Sequence, residues 1–571
     1  MSDIRTTRAP ESTPASASNA GSAQQTVRRV IVFVLLFSLV TIGAIGLSGL
    51  LARLLETSTE LADGGTTGLA LSLAFTLVGG PLAALLWWTV WRRLRDERER
   101  SSVALGLYLA GMYVVSLVTF SVALLALAAA RVDGYWQPRS FATGVVWLGV
   151  WAWHRWMLTH PTRGPLQLRT VPIVLGAVYG LAIGVGGAVN ALGSLFDAAI
   201  SGSAAVTLAG DPWWLVPLHA LLWAIVGGAI WWWHWTHDDA RQLKTGFANV
   251  ALIVVGVLGA GILTLTGIAT VLFVLLRLAF DRSEPVLALV DPLGPAIAAA
   301  AVGALVWFFH WGVALRRSDD TRRAGTLVTA GIGMLAAASG VGVILNAILA
   351  TTTTNLAGSD TRSLLLGALS ALVVGGPVWW RMWKPTTPVD VTEIGYVGRR
   401  VYLVAVFGLS AVVALVALLT VGYRVFEFAL DPGMAGGLVE HVRSPLGWLV
   451  ATGLVGGYHF TVWRHDRAIL AVELPTRARS IERVILVTGT DPESQKRAIE
   501  NATGASVTIW KRAVTGAEAD AVPQADVGAD FDGDAAPDLV ELTRVLERVT
   551  AKRVLLLTGA GGRVEVIPLA D

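Results

Sequence analysis

Cysteine is absent from the 571 residues, and with it go disulfides, zinc–thiolate sites, iron–sulfur clusters and thiol nucleophiles. Charge is scarce as well: Asp, Glu, Lys and Arg make up 15% of the chain against 54% hydrophobic residues, and the mean hydropathy is +0.61. Such a composition excludes an ordinary soluble protein and places the chain in a bilayer, its first partner. The net charge of +3 is not pooled into a basic patch, which argues against nucleic acid as a partner. The apolar region also lacks a nucleophile–base pair, a phosphate-binding loop and an H-E-x-x-H motif, so no catalytic residue and no cofactor is expected and the chain does not read as an enzyme.

What is present is a series of apolar runs, each long enough for roughly 30 Å of hydrocarbon at about 20 residues per crossing. They fall near 28–54, 69–91, 103–130, 142–158, 170–198, 213–235, 246–280, 294–315, 325–351, 364–383, 397–430 and 445–463. Residues 1–26, rich in Ser, Ala, Thr and Pro, read as a disordered tail. The run that follows is too long for a signal-peptide core and reads as a retained first span.

Each even-numbered run ends in an aromatic residue, two further residues and a tryptophan: Trp88 to Trp91, Trp153 to Trp156, Trp232 to Trp235, Phe308 to Trp311, Trp380 to Trp383 and Phe460 to Trp463. The device divides residues 27–467 into six hairpins. A double glycine often precedes it, at 79–80, 227–228, 375–376 and 456–457. Small residues let helix backbones approach where lipid gives no hydrophobic drive between helices, so both glycines are expected at packing sites. The ends that bear the motif carry arginine and lysine in every hairpin, including Arg92, Arg93, Arg155, Arg241, Arg316, Arg317, Arg381 and Arg464, while the opposite loops nearly lack them. The positive-inside rule then puts both termini in the cytoplasm. Indole rings settle at the headgroup level with the N–H wet. The motif therefore reads as an interfacial anchor, with a ring of aromatic and histidine side chains around a cytoplasmic mouth as the alternative.

Paired helices with a glycine-rich second member, as in "VVGGPVWWRMWK" and "LVGGPLAALLWWTVWRRLRDERERSS", followed by an opening such as "RRVYLVAVFGLSAVVALVALLTVGYRVFE", resemble a bacterial membrane family called domain of unknown function 5671. The resemblance covers about residues 28–467 in several copies and is clearest in the first and last. The second copy, "GVVWLGVWAWHRW", departs from it by lacking the double glycine. The family implies a membrane location and no activity, so it transfers no catalytic residue.

Ionisable groups inside the runs would mark transport or proton relay, since a charge at the bilayer centre costs at least about 2.5 kcal/mol. Few occur. Arg53, Arg277 and Arg424 stand at the far ends of odd runs, where arginine snorkels to water. Asn190 and Asn346 hold matching positions in two hairpins and read as helix-to-helix hydrogen bonds, or as polar contacts in a central cavity. His154, His234, His310 and His459 lie in or beside the motif and read as wet and interfacial. Bis-histidine haem, for which His234 and His310 are the pair to consider, is disfavoured by that depth and by Arg381 at an equivalent position. The loop "RRLRDERERSS" also lacks the G-x-x-x-D-R-x-G-R-R pattern of major-facilitator transporters.

Residues 480–571 read as a soluble two-layer α/β module, with strands "RVILVTG" and "RVLLLTG" at its centre and an acidic linker at 515–537. Asp530, Asp532, Asp534, Asp538 and Glu541 have the spacing of a calcium loop. Ala535, where the turn wants glycine, and a cytoplasmic location count against that metal. The expected fold is an all-α polytopic membrane domain of about twelve helices in six hairpins, with a small cytoplasmic α/β domain. Two functions fit it. One is a scaffold or sensor in the inner membrane whose tail binds a cytoplasmic protein. The other is a transporter or channel for a small polar solute.

Overall fold

A computed structural model describes residues 15–56, 65–201, 212–281, 283–353, 361–383, 394, 396–431, 436–473, 481–488, 492–511, 545–546, 549, 551–558 and 564–569. The chain divides into a helical unit, residues 1–389 with 395–460, and a C-terminal unit, residues 390–394 with 461–571.

The helical unit is built from α1 (Ala15–Leu55), α2 (Thr66–Arg93), α3 (Val103–Val132), α4 (Pro138–Thr159), α5 (Val171–Ser201), α6 (Leu215–His237), α7 (Gly246–Phe280), α8 (Val286–Leu315), α9 (Asp319–Ala350), α10 (Thr361–Trp383), α11 (Val397–Leu430) and the start of α12 (Leu438–Glu473). Among the described residues ten of these are long and apolar enough to cross a membrane; α4 and α12 are not among them. Polar side chains lower their hydropathy: Arg139, His154 and Arg155 in α4, and Glu440, His441, Arg443 and the charged end of α12. Helix α1 begins inside the stretch expected as a disordered tail. "ASASNAGSAQQ" contains alanine and glutamine, which favour helix, and extending an existing helix needs no new nucleus.

Helices consecutive in sequence pack as antiparallel pairs, α1 with α2, α3 with α4, α5 with α6, α7 with α8 and α9 with α10, and α4 returns to α1 while α8 packs on α5. The close approaches are made by glycine. A Cβ on Gly227 would run into the backbone of Gly184, one on Gly375 would lie 2.6 Å from the Gly333 carbonyl oxygen, and one on Gly79 would lie 2.9 Å from Ile42. The second glycine of each doublet is different: a Cβ on Gly80, Gly228, Gly376 or Gly457 would meet nothing within 4 Å. Only the first glycine of a doublet is thus a packing site, because the next residue is turned about 100° around the helix.

The largest buried cluster lies at the tryptophan-bearing ends of the first four helices and includes Phe33, Leu36, Val90, Leu94, Leu105, Leu109, Met112, Leu117 and Met157. A second, with Trp235, Leu252, Ile253, Val257 and Ala314, occupies the same ends of α5 to α8.

The C-terminal unit holds a four-stranded sheet of β1 (Arg483–Thr488), β2 (Ser506–Lys511), β3 (Arg553–Thr558) and β4 (Val564–Leu569) in the order β2-β1-β3-β4. The strands β1, β2 and β3 are parallel and β4 is antiparallel to β3. The matching sequences "RVILVT" and "RVLLLT" lie side by side at the centre, and Val484, Leu486, Val554 and Leu556 pack with Ile499 of α13 (Pro492–Thr503) and with Leu546. The calcium candidates Asp530, Asp532, Asp534, Asp538 and Glu541 lie outside the described residues, as does the linker 515–537.

Candidate functional site

The motif that reads as one interfacial belt splits into two faces. Trp88, Trp153, Trp156, Trp232, Phe308, Trp380 and Trp463 are exposed on the helix surface, as an anchor requires, whereas Trp235 and Trp383 are buried and Trp91 and Trp311 are half-buried. The four histidines are not wet: His154, His234, His310 and His459 are between 1% and 3% exposed. The motif packs against the preceding helices of the bundle, so half of each helix circumference faces inward, and the histidines fall on that half.

Each ring is held the same way. Nδ1 of His154, His234, His310 and His459 lies 2.7, 2.7, 2.8 and 2.8 Å from the carbonyl oxygen of Val150, Ile230, Val306 and Val455, four residues earlier. A carbonyl only accepts, so Nδ1 carries the hydrogen and Nε2 of the neutral ring is left as an acceptor. Two tyrosines of α3 supply the donors. Tyr108 donates to His154 Nε2 at 3.0 Å, inside one hairpin, and Tyr113 donates to His234 Nε2 at 2.8 Å, joining α3 to the next hairpin. Gly176 of α5 makes room for the second pair, since a Cβ there would occupy the space of the His234 ring.

Next to it, Arg155 of α4 grips Asp238 with two hydrogen bonds of 2.9 and 2.7 Å, a bidentate clamp between the ends of α4 and α6. Arg317, at the end of α8, donates to Asn249 Oδ1 at 2.6 Å and to the carbonyl oxygens of Arg241, at 2.9 Å, and Leu243. Burial lowers the pKa of its guanidinium, and carbonyl and amide partners offer no countercharge. Arg155 and Arg317 therefore tie successive hairpins together.

His310 lies over Gly256, in a widened π-type stretch of α7 (Leu252–Gly259), and its ring meets Trp235 at 5.4 Å. At the end of α10, Trp383 packs near both Tyr402 of α11 and His459 of α12, at 5.4 and 5.5 Å, and donates from Nε1 to Tyr458 at 2.7 Å. The Tyr402 and His459 rings are 5.9 Å apart, the same as Tyr113 and His234. Yet the buried Tyr402 hydroxyl and His459 Nε2 have no hydrogen-bond partner among the described residues.

The other sequence candidates separate. Asn190 is exposed and donates to the Gly186 carbonyl of its own helix at 2.8 Å, while Asn346 accepts from Arg443 of α12 at 3.4 Å. Only the second makes a contact between helices. Arg277 does not snorkel alone: it is largely buried and pairs with Asp281 at 3.4 Å and Glu284 at 3.1 Å. Arg424 pairs with Glu427 at 2.7 Å. Among the described residues no group of three or more His, Cys, Asp or Glu is placed to hold a metal ion. The tyrosine partners were not singled out from the sequence. The signal was there: tyrosine at 108 and at 402 opens the first helix of a hairpin whose second helix carries a histidine.

No curated protein and no solved structure matches the chain. One family matches it twice, at residues 29–153 and 323–454, each segment covering four consecutive helices from an odd-numbered one. Tyr108 and Tyr402 stand at the same place in the two segments, counted from 29 and from 323, and His154 and His459 fall just past the ends. Both segments match the family described as Domain of unknown function (DUF5671), as two copies in the chain.

Proposed function

We propose that the protein is a non-enzymatic scaffold or sensor of the bacterial inner membrane. In this reading it crosses the bilayer twelve times as six hairpins, keeps both termini in the cytoplasm and offers its C-terminal α/β unit to a protein partner. The arginines that follow each tryptophan motif support the orientation. The observation that carries the function is where the intramembrane polar groups go. Tyr108 meets His154, Tyr113 meets His234, Ser121 meets Tyr179 at 2.7 Å, Asn346 meets Arg443, and Asn190 bonds its own helix. A solute path needs such groups turned toward water; here all but Asn190 fasten helix to helix, which suits a framework that holds or transmits a shape.

Transport of a small polar solute is the competing function, and thiol accessibility separates the two. In Asn190→Cys and Asn346→Cys variants, a scaffold leaves both positions unreactive toward a water-soluble maleimide, since thiolate does not form in hydrocarbon. Rapid labelling at both, blocked by nothing but the reagent's size, overturns the scaffold in favour of a water-filled path.

A further inference from the structure

The first matched copy contains a long cleft between α1, α2 and α4, with a volume of about 870 Å³. Its floor is made of small residues, Gly43, Ala44, Gly80, Ala83 and Gly149, and its flanks of Leu47, Leu51, Leu54, Val145 and Val146. From Val40 to Leu54 it follows α1 for about 21 Å at 1.5 Å per residue, more than one leaflet of hydrocarbon. Leu47, Leu54 and Val145 are exposed, so the cleft opens sideways to lipid. It closes at the tryptophan-bearing end under Trp87 and Trp153, whose rings are 5.9 Å apart.

That end is cationic. The α2 residues that line the cleft, Thr76, Gly80, Ala83 and Trp87, form a stripe that continues to Trp91, over whose ring Arg163 lies at 3.9 Å. Arg92 lies 3.6 Å over Trp88, and Arg95 is exposed just past the helix. Apolar burial alone cannot select an occupant here, because a hydrocarbon chain gains no hydrophobic energy by leaving lipid for an apolar cleft. The charge at its end can select one.

We propose that this cleft is a binding site for one anionic phospholipid, with an acyl chain along the glycine and alanine floor and the phosphate among Arg92, Arg95 and Arg163. A neutral chain of the same length lacks the countercharge and exchanges with bulk lipid. The occupancy would couple the first hairpin to the lipid composition around it.

Native mass spectrometry of the full-length protein, titrated with phosphatidylglycerol or with phosphatidylcholine of matched chains, tests the site. One phosphatidylglycerol should bind at least ten-fold more tightly than phosphatidylcholine. Arg92→Gln and Arg95→Gln should each weaken it about five-fold, the factor expected for one cation beside an anionic headgroup. Gly149→Leu should remove the adduct by filling the cleft, and a Cβ at that position meets nothing within 4 Å, so the helix itself tolerates it. If Gly149→Leu lowers the melting temperature, Val145→Trp fills the same space from an exposed position. Equal binding of the two lipids, or an adduct that persists unchanged in a filled variant that melts like the parent, overturns the proposal.

Discussion

The Tyr113 hydroxyl lies 2.8 Å from His234 Nε2 although 121 positions separate the two residues, and the imidazole is already fixed on its other side by the Ile230 carbonyl. The contact joins α3 to α6, which belong to different hairpins. The second hairpin is thus locked to the third by a polar contact inside the aromatic motif, with the Arg155–Asp238 clamp beside it.

Removing the donor alone should show what this lock contributes. Tyr113→Phe leaves a buried acceptor unsatisfied, at a cost of about 1–3 kcal/mol. Equilibrium denaturation in detergent should register that loss, while Tyr135→Phe, at an exposed residue, should leave the midpoint unchanged.

The two copies of the matched domain should respond to the same substitution with opposite sign. Tyr108→Phe breaks a hydrogen bond to His154 and should lower stability by about 1–3 kcal/mol. Tyr402→Phe removes a buried hydroxyl without a partner among the described residues and should be neutral or stabilising. Thermal melts of the two variants compared side by side check the sign; a large loss for Tyr402→Phe would mean that its hydroxyl is satisfied in the bilayer.

The clamp at Asp238 should be more costly to break on one side than on both. Arg155→Met strands a largely buried carboxylate and should cost about 3 kcal/mol, while the double variant Arg155→Met with Asp238→Leu should recover most of it. A double-mutant cycle on unfolding measures the coupling directly.

Neighbouring glycines should separate cleanly. Gly227→Ala forces α5 and α6 apart and should destabilise by about 1–3 kcal/mol. Gly228→Ala meets open space and should gain up to about 1 kcal/mol from helix propensity. The same contrast is expected between Gly375 and Gly376, read by melting temperature in matched detergent.

Orientation is accessible because the chain has no native cysteine, so each introduced thiol is unique. Arg98→Cys, after the first tryptophan motif, should be protected from an impermeant maleimide in intact cells and labelled after lysis. Tyr135→Cys, at the opposite ends of α3 and α4, should label in intact cells. The reverse pattern would invert the topology.

Much of this was legible in the residues themselves. Runs of about 20 apolar residues can satisfy their backbone in lipid only as helices, so the helical unit, its order and the α/β module after it follow from hydropathy and strand patterning. Tryptophan and arginine recur at one end of each pair, where both side chains have a physical reason to meet a water boundary, and that recurrence is read directly from the sequence. What each residue of the motif faces is not encoded in that way. Apolar side chains cover nearly the whole circumference of these helices, so hydropathy carries no signal to tell lipid from interior, and a histidine in the motif reads the same whether it is wet or buried. Tertiary packing alone decided that His154 and His234 turn inward to meet Tyr108 and Tyr113, that the first glycine of a doublet touches a neighbour while the second does not, and that Asn346 reaches another helix while Asn190 bonds its own. These outcomes depend on the rotation of each helix about its axis, a single angle that is set by the shapes of its neighbours.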